Sequence, residues 1–178
     1  MNKFKLLLKH LWLDASDTRR AIPPDMLERL TRRVAASEQR HSGEIRLCVE
    51  SSLPISYLWR LRAQTPLSEL IRQRAITVFG KLRVWDTERN NGVLVYLLLA
   101  EQAIEIVADR GVTRHVSPAQ WQAMVARMGE AFREQRYEDG LKQALEEISA
   151  LLVTHFARHE GPGEPADRNE LPDAPVLQ

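Results

Sequence analysis

Residues 85–111 read WDTERNNGVLVYLLLAEQAIEIVADRG, and this stretch decides the fold. Positions 93–100 are an unbroken apolar run rich in Val, Leu and Tyr, the composition of a strand buried on both faces. Alternation then assigns Leu94, Tyr96 and Leu98 to one face and Val95, Leu97 and Leu99 to the other. Glu101 and Gln102 make a tight polar turn, and 103–108 return as a second strand. Polar clusters close both open ends of this hairpin, DTERNNG at 86–92 and DRG at 109–111.

Working outward, residues 24–40 have the spacing of a helix, with Leu27, Leu30 and Val34 facing a core and Gly43 as its stop signal. In 44–50, Ile45, Leu47 and Val49 alternate with Arg46, Cys48 and Glu50, the pattern of a half-buried strand. Residues 51–66 read as a loop with a helical turn, in which Tyr57, Leu58, Trp59 and Leu61 mix with Arg60 and Arg62. Residues 67–82 form a helix on the stripe Leu67, Leu70, Ile71, Ala75, Val78, Phe79 and Leu82. The basic side chains here (Arg60, Arg62, Arg72, Arg74, Lys81 and Arg83) read as a solvated face rather than a nucleic-acid surface. SPAQW at 117–121 is a helix start with a capping box between Ser117 and Gln120. Trp121, Met124, Val125, Met128 and Phe132 make its buried face. A last helix spans 137–159 on Leu141, Ala144, Leu145, Ile148, Leu151, Leu152 and Phe156.

A helix between the first two strands favours a parallel crossover, and the hairpin adds a third, antiparallel strand. The fold class expected is therefore α/β: a single-domain α/β/α sandwich with a small mixed sheet flanked by helices. Residues 1–20 are set apart as an N-terminal amphipathic extension, 21–159 as the domain, and 160–178 as an acidic, Pro-rich tail. That tail has no apolar period and reads as extended or disordered. Leu171, Val176 and Leu177 are the anchors it would use if docked, and docked and free tails both stay open.

The extension carries Phe4, Leu7, Leu8 and Leu11 on one face among Lys3, Lys5 and Lys9. It suits a short helix docked on the body, or one resting on an anionic membrane surface through residues 3–12. Lys9 and His10 interrupt the apolar run and no small-x-small cleavage site follows, so a signal peptide is not expected. The expected compartment is the cytoplasm, with peripheral contact to an inner membrane as the alternative. A net charge of +1 calls for no nucleic acid or strongly acidic partner. The single cysteine, Cys48, excludes an internal disulfide and reads as a buried, inert thiol.

Topology also locates a candidate site. Two parallel strands begin at the same end of the sheet, and an antiparallel third strand finishes there. His41, Glu44, Asp86, Glu88, Asn90, Asn91, Asp109 and Arg110 should therefore crowd one rim. Asp86, Glu88, Asn90, Asn91 and Asp109 are hard oxygen ligands of the kind Ca²⁺ or Mg²⁺ takes. The same carboxylates could do acid–base work, with Arg110 to hold an anion. The bland alternative is local turn chemistry at Asn91-Gly92 and Arg110-Gly111. There is no EF-hand loop, phosphate-cradling glycine loop, paired metal histidines or nucleophile elbow. No catalytic residue is assigned, and His10, His115, His155 and His159 are scattered.

The motif RVWDTERNNGVLVYLLLA (83–100) followed by VADRG (107–111) resembles the TPM domain, a family found in bacterial secreted or membrane-anchored proteins and in the plant thylakoid lumen. SEQRHSGEIRLCVE (37–50), Trp121, LLVTHF (151–156) and NELPD (169–173) extend the likeness. ADRG stands at 108–111 where a Gly-Tyr-Gly-like turn occurs in part of the family. The resemblance implies an α/β/α sandwich and either divalent-cation binding or acid phosphatase activity. Two functions follow as expectations. The first is a non-catalytic accessory module for an unidentified protein partner, soluble or membrane-associated, with Ca²⁺ or Mg²⁺ at the rim. The second is a weak metal-dependent acid phosphatase.

Overall fold

Every position of the strand Val93–Leu98 (β2) is buried, and the chain's two apolar clusters meet across it. The computed structural model describes residues 3–60, 65–158 and 169–178. Leu94, Tyr96 and Leu98 enter one cluster, and Val93, Val95, Leu97 and Leu99 the other, the division the alternation predicts. The strand ends sooner than expected. Leu99–Glu101 form a 3₁₀ turn, and Gln102, at φ 48°, reverses the chain into Ala103–Ala108 (β3).

Ile45–Glu50 (β1) lies parallel to β2, with Ile45 opposite Val93 and Glu50 opposite Leu98; β3 is antiparallel on the other side. A fourth strand, Val176–Leu177 (β4), pairs parallel with β1 and gives the order β3-β2-β1-β4. The helices are Lys3–Trp12 (α1), Ala15–Ala21 (α2), Pro24–Glu38 (α3), Ile55–Arg60 (α4), Leu67–Lys81 (α5), Arg110–Thr113 (α6), Pro118–Arg133 (α7) and Tyr137–Phe156 (α8). Residues of α3, α7 and α8 share the cluster of Val95 and Leu97, while α4 and α5 share that of Leu94 and Tyr96. The architecture is an α/β/α sandwich. The Ser117 capping box at the start of α7 is present as expected.

Several expectations need correction. β1 is buried throughout, not half-buried. Its polar side chains find partners under the second helical layer: Glu50 accepts two hydrogen bonds from the Arg74 guanidinium (2.9 and 2.6 Å) and one from the Tyr96 hydroxyl (2.5 Å). Arg46 donates to the carbonyls of Pro172 and Ala174. Arg74 therefore belongs to the interior rather than to a solvated face. Cys48 is buried as expected, and burial pushes its thiol up to about 12.

The docked face of α1 is also not the one the leucine spacing suggests. Leu6 and His10 are buried, whereas Leu8 and Leu11 are exposed; the side chains of Lys3, Phe4, Lys5 and Leu7 lie outside the described residues, as do Leu61, Arg62 and His159. His115 and His155 are not scattered, since their rings stack at 4.3 Å. The tail is docked from residue 169 onward: Leu171 is buried, Gln178 N–H donates to Val49 O, and Ser51 N–H donates to Gln178 O (both 2.9 Å). Residues 160–168 of that tail lie outside the described residues.

Candidate functional site: the polar rim

Three strand ends build the rim. Val93 N–H donates to Glu44 O (2.8 Å) and Asp109 N–H to Gly92 O (2.9 Å), so the segments entering β1 and β2 and leaving β3 are stitched together. Asp109 stands at the same end as Asn91, as the topology requires. Gly111 N–H adds a bond to Asn90 O (2.9 Å). A Cβ at Gly111 would strike the carbonyls of Asn90 and Arg89, so the close approach of the two loops depends on glycine there.

Local chemistry shapes the 86–92 loop. Thr87 Oγ1 accepts from Asn91 N–H (3.0 Å) and Thr87 O from Asn90 N–H (3.1 Å), while Asn90 takes the left-handed conformation at φ 52° that asparagine tolerates. Asn91 is completely buried, and its Nδ2 donates to Ser42 O (2.9 Å). Asn90 Oδ1 accepts from Arg110 Nε (2.9 Å). Asp109 caps α6, its Oδ1 accepting from Arg110 N–H (2.6 Å). Asn90, Asn91, Asp109 and Arg110 thus form one connected group.

Two buried oxygens in that group, Asn91 Oδ1 and Asp109 Oδ2, have no hydrogen-bond partner among the described residues. A buried acceptor left unpaired is costly, so each of these oxygens is a place where a bound group or water is expected.

The other candidates are engaged differently. Asp86 is exposed and pairs with Arg83. The Glu88 amide donates to the Glu170 carboxylate (3.1 and 3.2 Å), leaving the Glu88 side chain exposed. Glu44 is buried, its two oxygens accepting from the amides of Glu170 (3.2 Å) and Leu171 (3.1 Å). His41 is wholly buried, with Nδ1 donating to Gly43 O (3.0 Å) and Nε2 3.2 Å from Ser149 Oγ. Arg40 donates to the same hydroxyl (2.8 Å), leaving it free to donate to the ring. Among the described residues no three His, Cys, Asp or Glu side chains gather as a metal cluster. The rim also offers amide and backbone oxygens, a donor type that Ca²⁺ accepts.

Sequence reasoning missed Glu38, Ser42, Ser149 and the tail residues Glu170 and Asp173. Glu38 Oε1 accepts from Ile45 N–H (2.8 Å). Burial, with Glu44 and Asp173 nearby, pushes the Glu38 carboxyl up to about 8. Its place in SEQRHSGE, one turn before a strand, was the available signal. A cavity of about 610 Å³ lies against β3, α5 and α7, lined by Ile106, Val116, Trp121 and Val125 together with Arg72 and Glu105.

The sequence profile of the TPM domain matches residues 15–151. Among solved structures, the BA42 protein of the psychrophilic bacterium Bizionia argentinensis is similar at 23% identity, with a TM-score of 0.67 over 84% of this chain and 90% of that one. The N-terminal domain of a P. gingivalis protein is similar at 17% identity, with a TM-score of 0.57 over 78% of this chain and 83% of that one. At these identities the likeness speaks to the fold. No curated protein matches the chain.

Proposed function

The chain belongs to the TPM domain family, and from that premise we propose that it is a binding module rather than a catalyst, one that takes a single hard divalent cation at the rim to steady a surface read by a protein partner. The observation that carries this reading is the pair of partnerless buried oxygens, Asn91 Oδ1 and Asp109 Oδ2, on two stitched loops. An amide oxygen, a carboxylate oxygen and neighbouring carbonyls suit Ca²⁺ better than a softer ion. A second support is that Glu44 and Asp86 already accept from backbone amides and a guanidinium, which makes them poor general bases.

The test is a thermal-shift titration with Ca²⁺, Mg²⁺, Mn²⁺ and Zn²⁺, on the parent and on Asp109→Asn. Binding to the native state alone stabilises by about 2.7 kcal/mol at a hundredfold excess over Kd, a rise of several degrees. Ca²⁺ should give the largest rise, and Asp109→Asn should lose most of it. Unchanged melting with all four ions overturns the cation; metal-dependent turnover of p-nitrophenyl phosphate that Asp109→Asn abolishes would assign catalysis instead.

A further inference from the structure

At the end of the sheet opposite the rim, large apolar side chains face outward. On α1, Leu8 (39% exposed), Leu11 (55%) and Trp12 (83%) are spaced i, i+3, i+4 and so share one face. They are not the face that docks. Leu6 and His10 do that, His10 Nδ1 accepting from Leu53 N–H (3.1 Å) while Nε2 lies 3.3 Å from Glu101 Oε1. A second exposed pair, Ile55 (57%) and Trp59 (62%), is spaced i, i+4 on α4. The His10–Leu53 bond brings the two helices to one junction, because Trp12 and Ile55 each follow a member of that bond by two residues.

The sequence around this junction is basic on balance, although Glu101 lies beside Lys9 and Asp17 beside Arg20. Residues 1–20 hold five Lys and Arg against two Asp, and residues 51–68 hold two Arg and no acid, in a chain whose net charge is +1. A cleft of about 600 Å³ lined by Leu13, Leu99 and Tyr137 also presents Lys9, Arg20 and the Asp17 carboxylate that pairs with Arg20. Exposed tryptophan, leucine and isoleucine on segments rich in Lys and Arg are the chemistry of the headgroup region of an anionic bilayer. There the indole sits between acyl chain and water, and the cations meet phosphate.

We propose that this end of the molecule is a docking face for an anionic lipid bilayer, made jointly by the outward face of α1 and the Ile55–Trp59 edge of α4. The inference stands independently of the rim. It also changes the footprint that sequence alone suggests, by adding α4 and by naming Leu8, Leu11 and Trp12 as the inserted residues.

Flotation of the full chain with vesicles tests it, using phosphatidylcholine with about a third phosphatidylglycerol against phosphatidylcholine alone. The chain should float with the anionic vesicles only, its tryptophan emission should shift to the blue, and about 0.5 M salt should release it. Leu11→Glu combined with Trp12→Glu should weaken binding at least tenfold, as should Ile55→Glu combined with Trp59→Ala, each with an unchanged circular-dichroism melt. Trp85→Ala, at the rim end, should bind like the parent. Equal flotation with both vesicles, no flotation, or parental binding by the folded variants overturns the proposal. So does a dimer that Leu11→Glu disperses in a chain that ignores vesicles, which would give the face to a second copy.

Discussion

Where β1 and β2 begin, Glu38, His41, Glu44 and Asn91 are polar side chains held in the interior; where those strands finish, Leu8, Leu11, Trp12, Ile55 and Trp59 are apolar side chains held in solvent. Both arrangements carry a free-energy cost, but only the first is offset within the described chain. The rim compensates for its buried polar groups with hydrogen bonds to the tail, to Ser42, to Ser149 and to the Ile45 amide. The oxygens the rim leaves partnerless are where the proposed cation would bind, and the exposed apolar area of the far end is what the proposed bilayer contact would cover.

The comparison breaks most visibly beneath the far end. Glu50, the last residue of β1, and Arg74 form a pair whose side chains are only 6% and 7% exposed. Arg74→Ala leaves a buried carboxylate uncompensated and should cost about 3–5 kcal/mol in urea unfolding, while Glu50→Gln combined with Arg74→Met should recover much of the loss. If the single variant is as stable as the parent, the far end is not organised around this pair.

The tail joins the two ends, since Glu170 and Leu171 meet Glu44 at the rim and Gln178 meets Ser51 at the far end. Removing 176–178 deletes β4, the Gln178 bonds to Val49 and Ser51, and the bond from Thr18 Oγ1 (3.0 Å). About 2–3 kcal/mol should be lost. The cation response should survive, because the rim contacts of 169–171 remain.

This strand was not legible in the sequence. Two residues carry no period, and what places them is a vacant edge of β1. Polarity misled similarly at Arg46 and Glu50, whose alternation with Ile45 and Val49 signals a solvent face although their partners lie far along the chain, at Arg74, Pro172 and Ala174. Long-range pairing leaves no local signature. By contrast Leu94, Leu97 and the Ser117 cap were readable because strand alternation and capping are local rules. The rim was legible as a location, through topology, but not in its bonding. His41 is turned to Ser149 and Asp86 to Arg83, and neither arrangement follows from spacing.

At the rim itself, Gly111→Ala places a methyl against two backbone carbonyls that cannot rotate away. It should cost about 1–3 kcal/mol and abolish the Ca²⁺-induced thermal shift, measured on the same samples. A stable variant that still responds to Ca²⁺ would show that the cation does not depend on the stitched loops.

A further effect is in pH. The folded state raises Glu38 from its ordinary 4.5 to about 8, so it holds that proton more tightly than the unfolded chain does. The stability this contributes is complete below the unfolded value and is lost as pH rises through about 8. Glu38→Gln keeps an acceptor for Ile45 and should flatten that decline, gaining on the parent between about pH 5 and pH 9 in parallel melts. Identical pH profiles would mean that Glu38 is ionised in the folded protein at neutral pH.

The division of labour between the two ends is tested most directly by mapping amide chemical shifts of the ¹⁵N-labelled chain through a Ca²⁺ titration. Amides at 90–92 and 109–111 should move with a single saturable dependence, while those of Leu8, Leu11, Trp12, Ile55 and Trp59 stay in place. Shifts centred on the α1–α4 junction, or a spectrum that Ca²⁺ leaves unchanged at 90–92 and 109–111, would contradict it.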